Sequence, residues 1–132
     1  MKTRKVLGFC LVLLVMLSVS AYAQLVQLRR GLYGSGGAIE IGINPIGNGE
    51  YDITVIYGQY ARGGETMWQM RGTTVGTRIV CRATSVNTQY LLTLGFSRNE
   101  IPSIGDPLTF TIVNNSTFLD ESSTRFVWLR AN

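Results

Sequence analysis

The clearest strand pattern in this sequence of 132 residues lies between residues 51 and 96, which read YDITVIYGQYARGGETMWQMRGTTVGTRIVCRATSVNTQYLLTLGF. Apolar and polar residues alternate along four short runs of this segment, with Gly, Ser or Asn between them. Alternation with a period of two is typical of β-strands that bury one face. We therefore predict a four-stranded antiparallel meander, with strands at Tyr51–Tyr60, Thr66–Thr74, Thr77–Thr84 and Gln89–Phe96.

The length of each hairpin loop predicts which residues of the meander face each other. A slip by one residue would move every apolar side chain to the opposite face, so a correct set of loops must keep them together. Loops at Arg62–Glu65, Val75–Gly76 and Val86–Asn87 satisfy this condition. They place Tyr57 opposite Met70, Met70 opposite Cys81, and Cys81 opposite Leu92. The predicted core face consists of Ile53, Val55, Tyr57, Trp68, Met70, Ile79, Cys81, Ala83, Tyr90, Leu92, Leu94 and Phe96.

Shorter runs flank the meander on both sides and predict further strands. The Gly-rich stretch from Gly31 to Gly37 is interpreted as a turn between two of them. Eight short strands at this spacing are typical of a β-sandwich or a small barrel. We expect residues 24–132 to form a single all-β domain, an antiparallel sandwich of seven or eight strands that is immunoglobulin-like or related, with the meander at its centre. The additional strands are predicted at Leu25–Arg30, Ala38–Ile43, Leu108–Val113 and Arg125–Arg130.

The first 23 residues have the organisation of a signal peptide. Cations at positions 2, 4 and 5 precede an almost wholly apolar run from Val6 to Val19, and small residues flank Tyr22 in Ala21-Tyr22-Ala23. Cleavage between Ala23 and Gln24 is predicted, with export to the periplasm or to the outside of the cell. A retained signal anchor is the alternative, because the apolar stretch approaches the length that crosses a bilayer.

The composition of the predicted mature chain excludes several function classes. Residues 24–132 contain nine Arg, eight acids, no Lys and no His, so the net charge falls from +4 to +1 and does not support a nucleic-acid partner. With no His, and with Cys81 as the single thiol, Ser–His and Cys–His catalysis and the common zinc sites lack essential residues. We expect a protein that is not an enzyme and has no metal or cofactor, with Cys81 as a small buried apolar residue.

Two surfaces are candidates for binding a partner. Arg71, Arg78 and Arg82 fall on the polar face of adjacent predicted strands, with Arg62 at the end of the sheet and Asp52 as the expected acid nearby. Because Arg grips carboxylate, sulfate or phosphate groups with two N–H donors, these cations are a candidate site for an acidic partner. The second candidate is a long loop, since loops on a rigid scaffold often bind. Its residues are Asn99, Glu100 and Asp106.

These features predict an exported, non-catalytic β-sandwich that acts as a binding or structural module of the cell envelope or the extracellular space. Adhesin-like, assembly and inhibitory roles, with a protein or glycan partner, are all compatible with the sequence. A small outer-membrane β-barrel is the first alternative, because alternation does not reveal whether the apolar face meets a core or lipid. The second is a carbohydrate-binding module or a small glycan-active enzyme. The enzyme would be supported only if Glu50, Asp52 or Glu100 shared a cleft.

Overall fold

The computed structural model describes residues 26–58 and 65–132. Eight strands make up most of this part of the chain, and a short α-helix and one turn of 3-10 helix lie between the fifth and sixth strands. The helix α1 covers Thr88–Thr93, and the 3-10 helix covers Arg98–Glu100. The strands are β1 (Gly31–Gly34), β2 (Ile39–Gly47), β3 (Glu50–Tyr57), β4 (Thr66–Val75), β5 (Arg78–Val86), β6 (Pro107–Asn114), β7 (Thr117–Leu119) and β8 (Arg125–Arg130).

The eight strands form one closed antiparallel barrel. Each strand pairs with the next along the chain, and β8 pairs with β1, where Trp128 faces Tyr33. The prediction of an all-β antiparallel fold is confirmed, but the prediction of an open sandwich is wrong. Alternation along a strand is the same in two stacked sheets as in one sheet that closes on itself, and only the pairing of β1 with β8 distinguishes them.

The segment Gln89–Phe96, predicted as the fourth strand of the meander, contains α1 instead. Asn87, predicted as a turn residue, is the N-cap of this helix, and its side-chain oxygen accepts a hydrogen bond from the N–H of Tyr90 at 3.3 Å. Leu91 is buried and Leu94 packs against the core, which is the spacing of one face of a helix. An apolar run this short is compatible with the period of a strand and with that of a helix, and the N-cap residue Asn87 favours the helix.

The predicted strand Leu25–Arg30 is also wrong, since residues 26–30 belong to no strand. The first strand, β1, occupies the Gly-rich stretch that was expected to be a turn, and β7 is likewise not predicted by the sequence. The two glycines of β1 are explained by packing, because side chains of β8 leave no room for a Cβ at either position. A Cβ on Gly31 would overlap the indole nitrogen of Trp128, and a Cβ on Gly34 would lie 2.7 Å from Leu129 Cδ1. Six predicted strands remain, and they overlap β2, β3, β4, β5, β6 and β8.

The predicted registers are wrong, but the predicted faces hold for most of the meander. Met70 faces Ile53 rather than Tyr57, and it faces Ala83 rather than Cys81. Both displacements are even, so the same side chains still point inward. The tight turn lies at Gly76–Thr77 rather than at Val75–Gly76, which accounts for the second displacement, and a bulge in β4 contributes to the first. The predicted core residues that are confirmed as buried are Ile53, Val55, Met70, Ile79, Cys81 and Ala83.

Apolar side chains fill the interior of the barrel, as expected for eight strands. Phe118 lies among three other rings, with centroid distances of 5.2 Å to Tyr33, 4.8 Å to Phe110 and 5.3 Å to Phe126. The outward positions of the central strands are largely polar or charged. Examples are Asp52, Thr54, Gln69, Arg71, Thr73 and Arg82.

The two ends of the barrel differ because the connections alternate between them. One end, here called the closed end, carries three two-residue turns at residues 48–49, 76–77 and 115–116. The other, the open end, carries the longer connections, of which those at residues 35–38, 87–106 and 120–124 are described in full. No helix in the described part of the chain is long and apolar enough to cross a membrane.

Candidate functional site

The closed end is filled by the chain itself. Residues 26–30, here called the plug segment, run across it before β1 begins. The N–H of Leu28 donates to the hydroxyl of Tyr51 at 3.1 Å, and the N–H of Arg29 donates to the carbonyl of Asn115 at 2.8 Å. The hydroxyl of Tyr33 donates to the carbonyls of Arg29 and Asn115, at 2.7 and 3.2 Å. Leu28, Tyr33 and Tyr51 are buried, so little access to the interior remains at this end.

The burial of Tyr33 and the contacts of Trp128 also indicate close packing at the closed end. Burial raises the pKa of the Tyr33 phenol to about 12. The guanidinium of Arg29 stacks over the ring of Trp128 at 3.6 Å from its centroid, and the Trp128 indole N–H donates to the carbonyl of Arg30 at 3.1 Å. One of the two tryptophans is therefore occupied in closing this end.

The second tryptophan, Trp68, lies at the open end beside an apolar cleft of about 280 Å³, here called the mouth cleft. Strands from all around the barrel contribute its walls. Its rim is the β7–β8 connection, where Asp120 and Glu121 stand. The apolar lining consists of Ile39, Ile41, Val55, Trp68, Leu108, Phe110 and Phe126.

A second cleft of about 290 Å³, here called the loop cleft, adjoins the first, because Trp68 and Leu108 line both. The long β5–β6 connection forms its other wall. The predicted binding residues Asn99, Glu100 and Asp106 all line this cleft. The structure thus brings the loop that the sequence singled out to the side of Trp68.

Hydrogen bonds to the main chain hold the loop in place. The carboxylate of Glu100 accepts from the hydroxyl of Ser97 at 2.8 Å and from its N–H at 3.1 Å. These two bonds lower the pKa of Glu100. The carboxylate of Asp106 accepts from the N–H of Ser103 at 2.8 Å, and the N–H of Gly105 donates to the carbonyl of Ala83 in β5 at 2.7 Å.

The acids on the opposite rim are held in the same way. The carboxylate of Asp120 accepts from the N–H groups of Ser122 and Thr124, at 2.8 and 2.9 Å. That of Glu121 accepts from the N–H of Thr109 in β6 at 2.8 Å. Asp120 and Glu121 are not among the binding residues predicted from the sequence. Only the pairing of β7 with β6 and β8 brings them to the clefts, and no local pattern signals it.

The predicted arginine site is divided in the structure. Arg71 and Arg82 face each other across β4 and β5, and both are exposed, as is Arg78 at the start of β5. Arg71 is already engaged by two acids, at 2.9 Å from Asp52 and 3.8 Å from Glu50. Arg82 donates to the carbonyl of Gly105 at 3.0 Å. Arg62 lies outside the described residues.

The remaining candidates are placed as follows. Asp52 lies on the outer wall with Arg71, whereas Glu100 lines the loop cleft, so these acids do not share a cleft. Cys81 is free and buried, as predicted, and burial first, with the nearby Glu121 second, raises the pKa of its thiol to about 12. Within residues 26–58 and 65–132, no group of three or more potential ligands is placed to hold a metal ion.

Comparison with protein-family models, with curated proteins and with solved structures finds no match to the chain.

Proposed function

We propose that the mature chain is an exported, non-catalytic binding module that receives its partner at the open end of the barrel. The observation that carries this proposal is the difference between the two ends. The plug segment covers the core at one end and leaves beside the tight turns a hollow of about 650 Å³ lined by Gln27, Asn48 and Thr74, whereas the other end presents apolar walls and Trp68 between longer connections. Concave apolar sites with a few polar groups at the rim are the usual form of a binding pocket, and they occur in the mouths of β-barrels.

The distribution of polarity supports a barrel in water over the outer-membrane alternative. Large apolar side chains point into the barrel, while outward positions in the middle of the central strands carry Asp52, Arg71 and Arg82. A barrel that spans a membrane needs an apolar band on its outer surface, where each charge near the bilayer centre costs about 2–4 kcal/mol. The signal-like first 23 residues support export to the periplasm or beyond.

The position of the β5–β6 connection supports a role in binding rather than a purely structural one. Asn99, Glu100 and Asp106 stand beside Trp68, and their loop is held by hydrogen bonds to β5. A pre-formed loop loses less conformational freedom when a partner docks. A protein or glycan partner remains the expected class, and the arginine surface around Arg71 and Arg82 is a secondary contact.

Export is tested by expressing the full chain with a tag after Asn132 and separating the host fractions without detergent. We expect the tagged protein, shortened by the first 23 residues, in the periplasm or the medium. Recovery only in detergent-extracted membranes would overturn the proposal and favour the outer-membrane or anchored alternative.

Binding is tested by nuclear magnetic resonance titration of the purified mature chain with blocked Gly-X-Gly tripeptides, in which X represents each class of side chain. We expect at least one tripeptide to shift the indole resonance of Trp68 together with the amides of residues 99–106. The variant Trp68→Ala should lose the shifts, and the matched variant Trp128→Phe at the closed end should keep them. Shifts that persist in Trp68→Ala, or a chain that no tripeptide perturbs at the open end, would contradict the proposal.

A further inference from the structure

Seven of the eight acids of the chain fall into two groups with different partners. Glu40, Glu50 and Asp52 form the three ion pairs of the described residues, with Arg130 or Arg71. The four carboxylates that line the open-end clefts form none within residues 26–58 and 65–132, and they accept hydrogen bonds from neutral N–H or hydroxyl groups. These four are Glu100, Asp106, Asp120 and Glu121.

Among the described residues, these four carboxylates of the open end therefore have no ion-pair partner. Arg98 and Arg125 also lie at this end, but neither forms an ion pair with the four acids among the described residues. A partner with a positive charge would be attracted to this rim, and one with a negative charge would be repelled.

The clefts between these acids are apolar, and Trp68 stands at their junction. At the closed end, a tryptophan of this chain already contacts a cation, since Arg29 stacks on Trp128 there. Within the described residues, no cation stands over Trp68. An Arg side chain has both required parts, an apolar stem for the walls and a planar cation for the ring and the acids.

The size of the clefts indicates the source of that cation. Volumes of about 280 and 290 Å³ lie just below the range of about 300–1,000 Å³ for pockets that enclose whole small molecules. A cleft of this size suits one side chain that protrudes from a larger partner. The partner's surface would then rest on the surrounding loops, where Asn99 and Pro102 stand.

We propose that the open end binds a protein partner by taking an Arg side chain of a protruding loop between Trp68 and the four cleft acids. This inference rests on the proposed function and names the partner chemistry of the same site. The arginine surface predicts an acidic partner, whereas this inference predicts a basic one. Arg71 is already paired with Glu50 and Asp52 on β3.

The probe is the blocked tripeptide Gly-Arg-Gly, compared with its citrulline analogue, which has nearly the same shape without the charge. We expect the Arg tripeptide to shift the Trp68 indole resonance and the citrulline tripeptide to bind about tenfold more weakly, as for the loss of one charged hydrogen-bonding group. Raising the salt concentration should weaken only the Arg tripeptide. Equal affinities would overturn the Arg proposal and leave the proposed function standing, because an uncharged probe would still bind beside Trp68.

Two double variants test the role of the acids. In Asp106→Asn with Glu121→Gln, the amide oxygens still accept the N–H bonds that hold the loops, and we expect about tenfold weaker binding of Gly-Arg-Gly. In the matched control, Glu40→Gln with Glu50→Gln, the net charge changes equally but the clefts are untouched, so binding should stay within about twofold. Equal weakening in both would show that overall charge, not the clefts, attracts the probe, and would overturn the inference.

A last comparison tests whether the cation comes from a protein. Agmatine carries the same guanidinium on an apolar chain but has no peptide backbone. We expect it to bind more weakly than Gly-Arg-Gly, because it cannot contact the loops around the cleft. Tighter binding of agmatine would overturn the protein source in favour of a small amine. If neither agmatine nor any tripeptide perturbs Trp68, the proposed function fails together with this inference.

Discussion

The two ends of the barrel are built from the same eight strands, yet phenol, indole and guanidinium groups close one end and carboxylates line the other. At the closed end, phenol and indole groups bond to carbonyls and to the N–H of Leu28. At the open end, carboxylates bond to the N–H groups of their own loops. The length of the connections explains the difference. The two-residue turns contribute only Asn48, Gly49 and Gly76 to the hollow beside the plug segment, whereas the longer connections carry acidic side chains to the rim of the open end.

The largest effect should come from a matched pair of Leu→Ala variants, one at each end. Leu28 in the plug segment is fully buried, and Leu28→Ala should lower the free energy of unfolding by about 2–5 kcal/mol. Leu108 lines both clefts and is only partly buried, so Leu108→Ala should cost less than about 2 kcal/mol. Urea unfolding followed by circular dichroism measures both. A cost for Leu108→Ala equal to that of Leu28→Ala would show that the open end is as closely packed as the closed end.

Alkaline pH should weaken the barrel at its buried groups and spare the open end. The pKa values of the Cys81 thiol and the Tyr33 phenol rise from 9.0 and 10.0 to about 12, so both folded groups stay neutral where the unfolded chain would ionise. Their contribution to stability is full below pH 9 and is lost as the pH rises to about 12. For Cys81 the loss is at most about 4 kcal/mol.

The measurement is the free energy of unfolding against pH for the wild-type chain, Cys81→Ala and Tyr33→Phe. Each variant should lose less stability than the wild type between pH 9 and 12, even though its stability at neutral pH is lower. If all three curves fall in parallel, neither group is responsible for the alkaline loss.

Acid pH should act at the open end, with the smallest effect of the three. The pKa of Glu100 is lowered by the hydroxyl and N–H of Ser97, so the contribution of this carboxylate is present above its ordinary value of 4.5 and is lost as the pH falls through the folded value. Because Glu100 is exposed, we expect faster amide exchange near Ser97 rather than global unfolding. The variant Ser97→Ala should return the pKa of Glu100 towards 4.5, as measured by a carboxyl carbon titration. An unchanged pKa in that variant would show that the Ser97 hydroxyl does not hold the carboxylate.

The sequence predicted the faces of the strands better than their partners. Parity placed Ile53, Met70 and Cys81 in the core, because an even error in register does not change which side chains point inward. The turn between β4 and β5 lies one residue later than predicted, which moves the register by two residues, and bulges add one-residue shifts without a local signature. The helix at Thr88–Thr93 was missed because its apolar run is short and its deciding residue, Asn87, also suits a turn.

Neither barrel closure nor half of the candidate site could be predicted from the sequence, and the reason is the same for both. The strand that closes the barrel reads Gly-Leu-Tyr-Gly, a composition that favours a turn, and its glycines make sense only beside Trp128 and Leu129 of β8. The loop residues from Asn99 to Asp106 were predicted because their connection is long. Asp120 and Glu121 were not, because contacts between distant strands bring them to the clefts.

The hydrogen bond from Trp128 to the carbonyl of Arg30 joins residues that are 98 positions apart, and it has a consequence for the time course of folding. Local hairpins can pair early, but closure must bring together the two most distant strands, which is the kind of contact that slows folding. A chain interrupted before β8 would keep two open sheet edges, and these invite pairing with other chains. Under the proposed export, late closure is compatible with an unfolded chain passing through a narrow channel, and the barrel would be completed only after the whole chain has crossed.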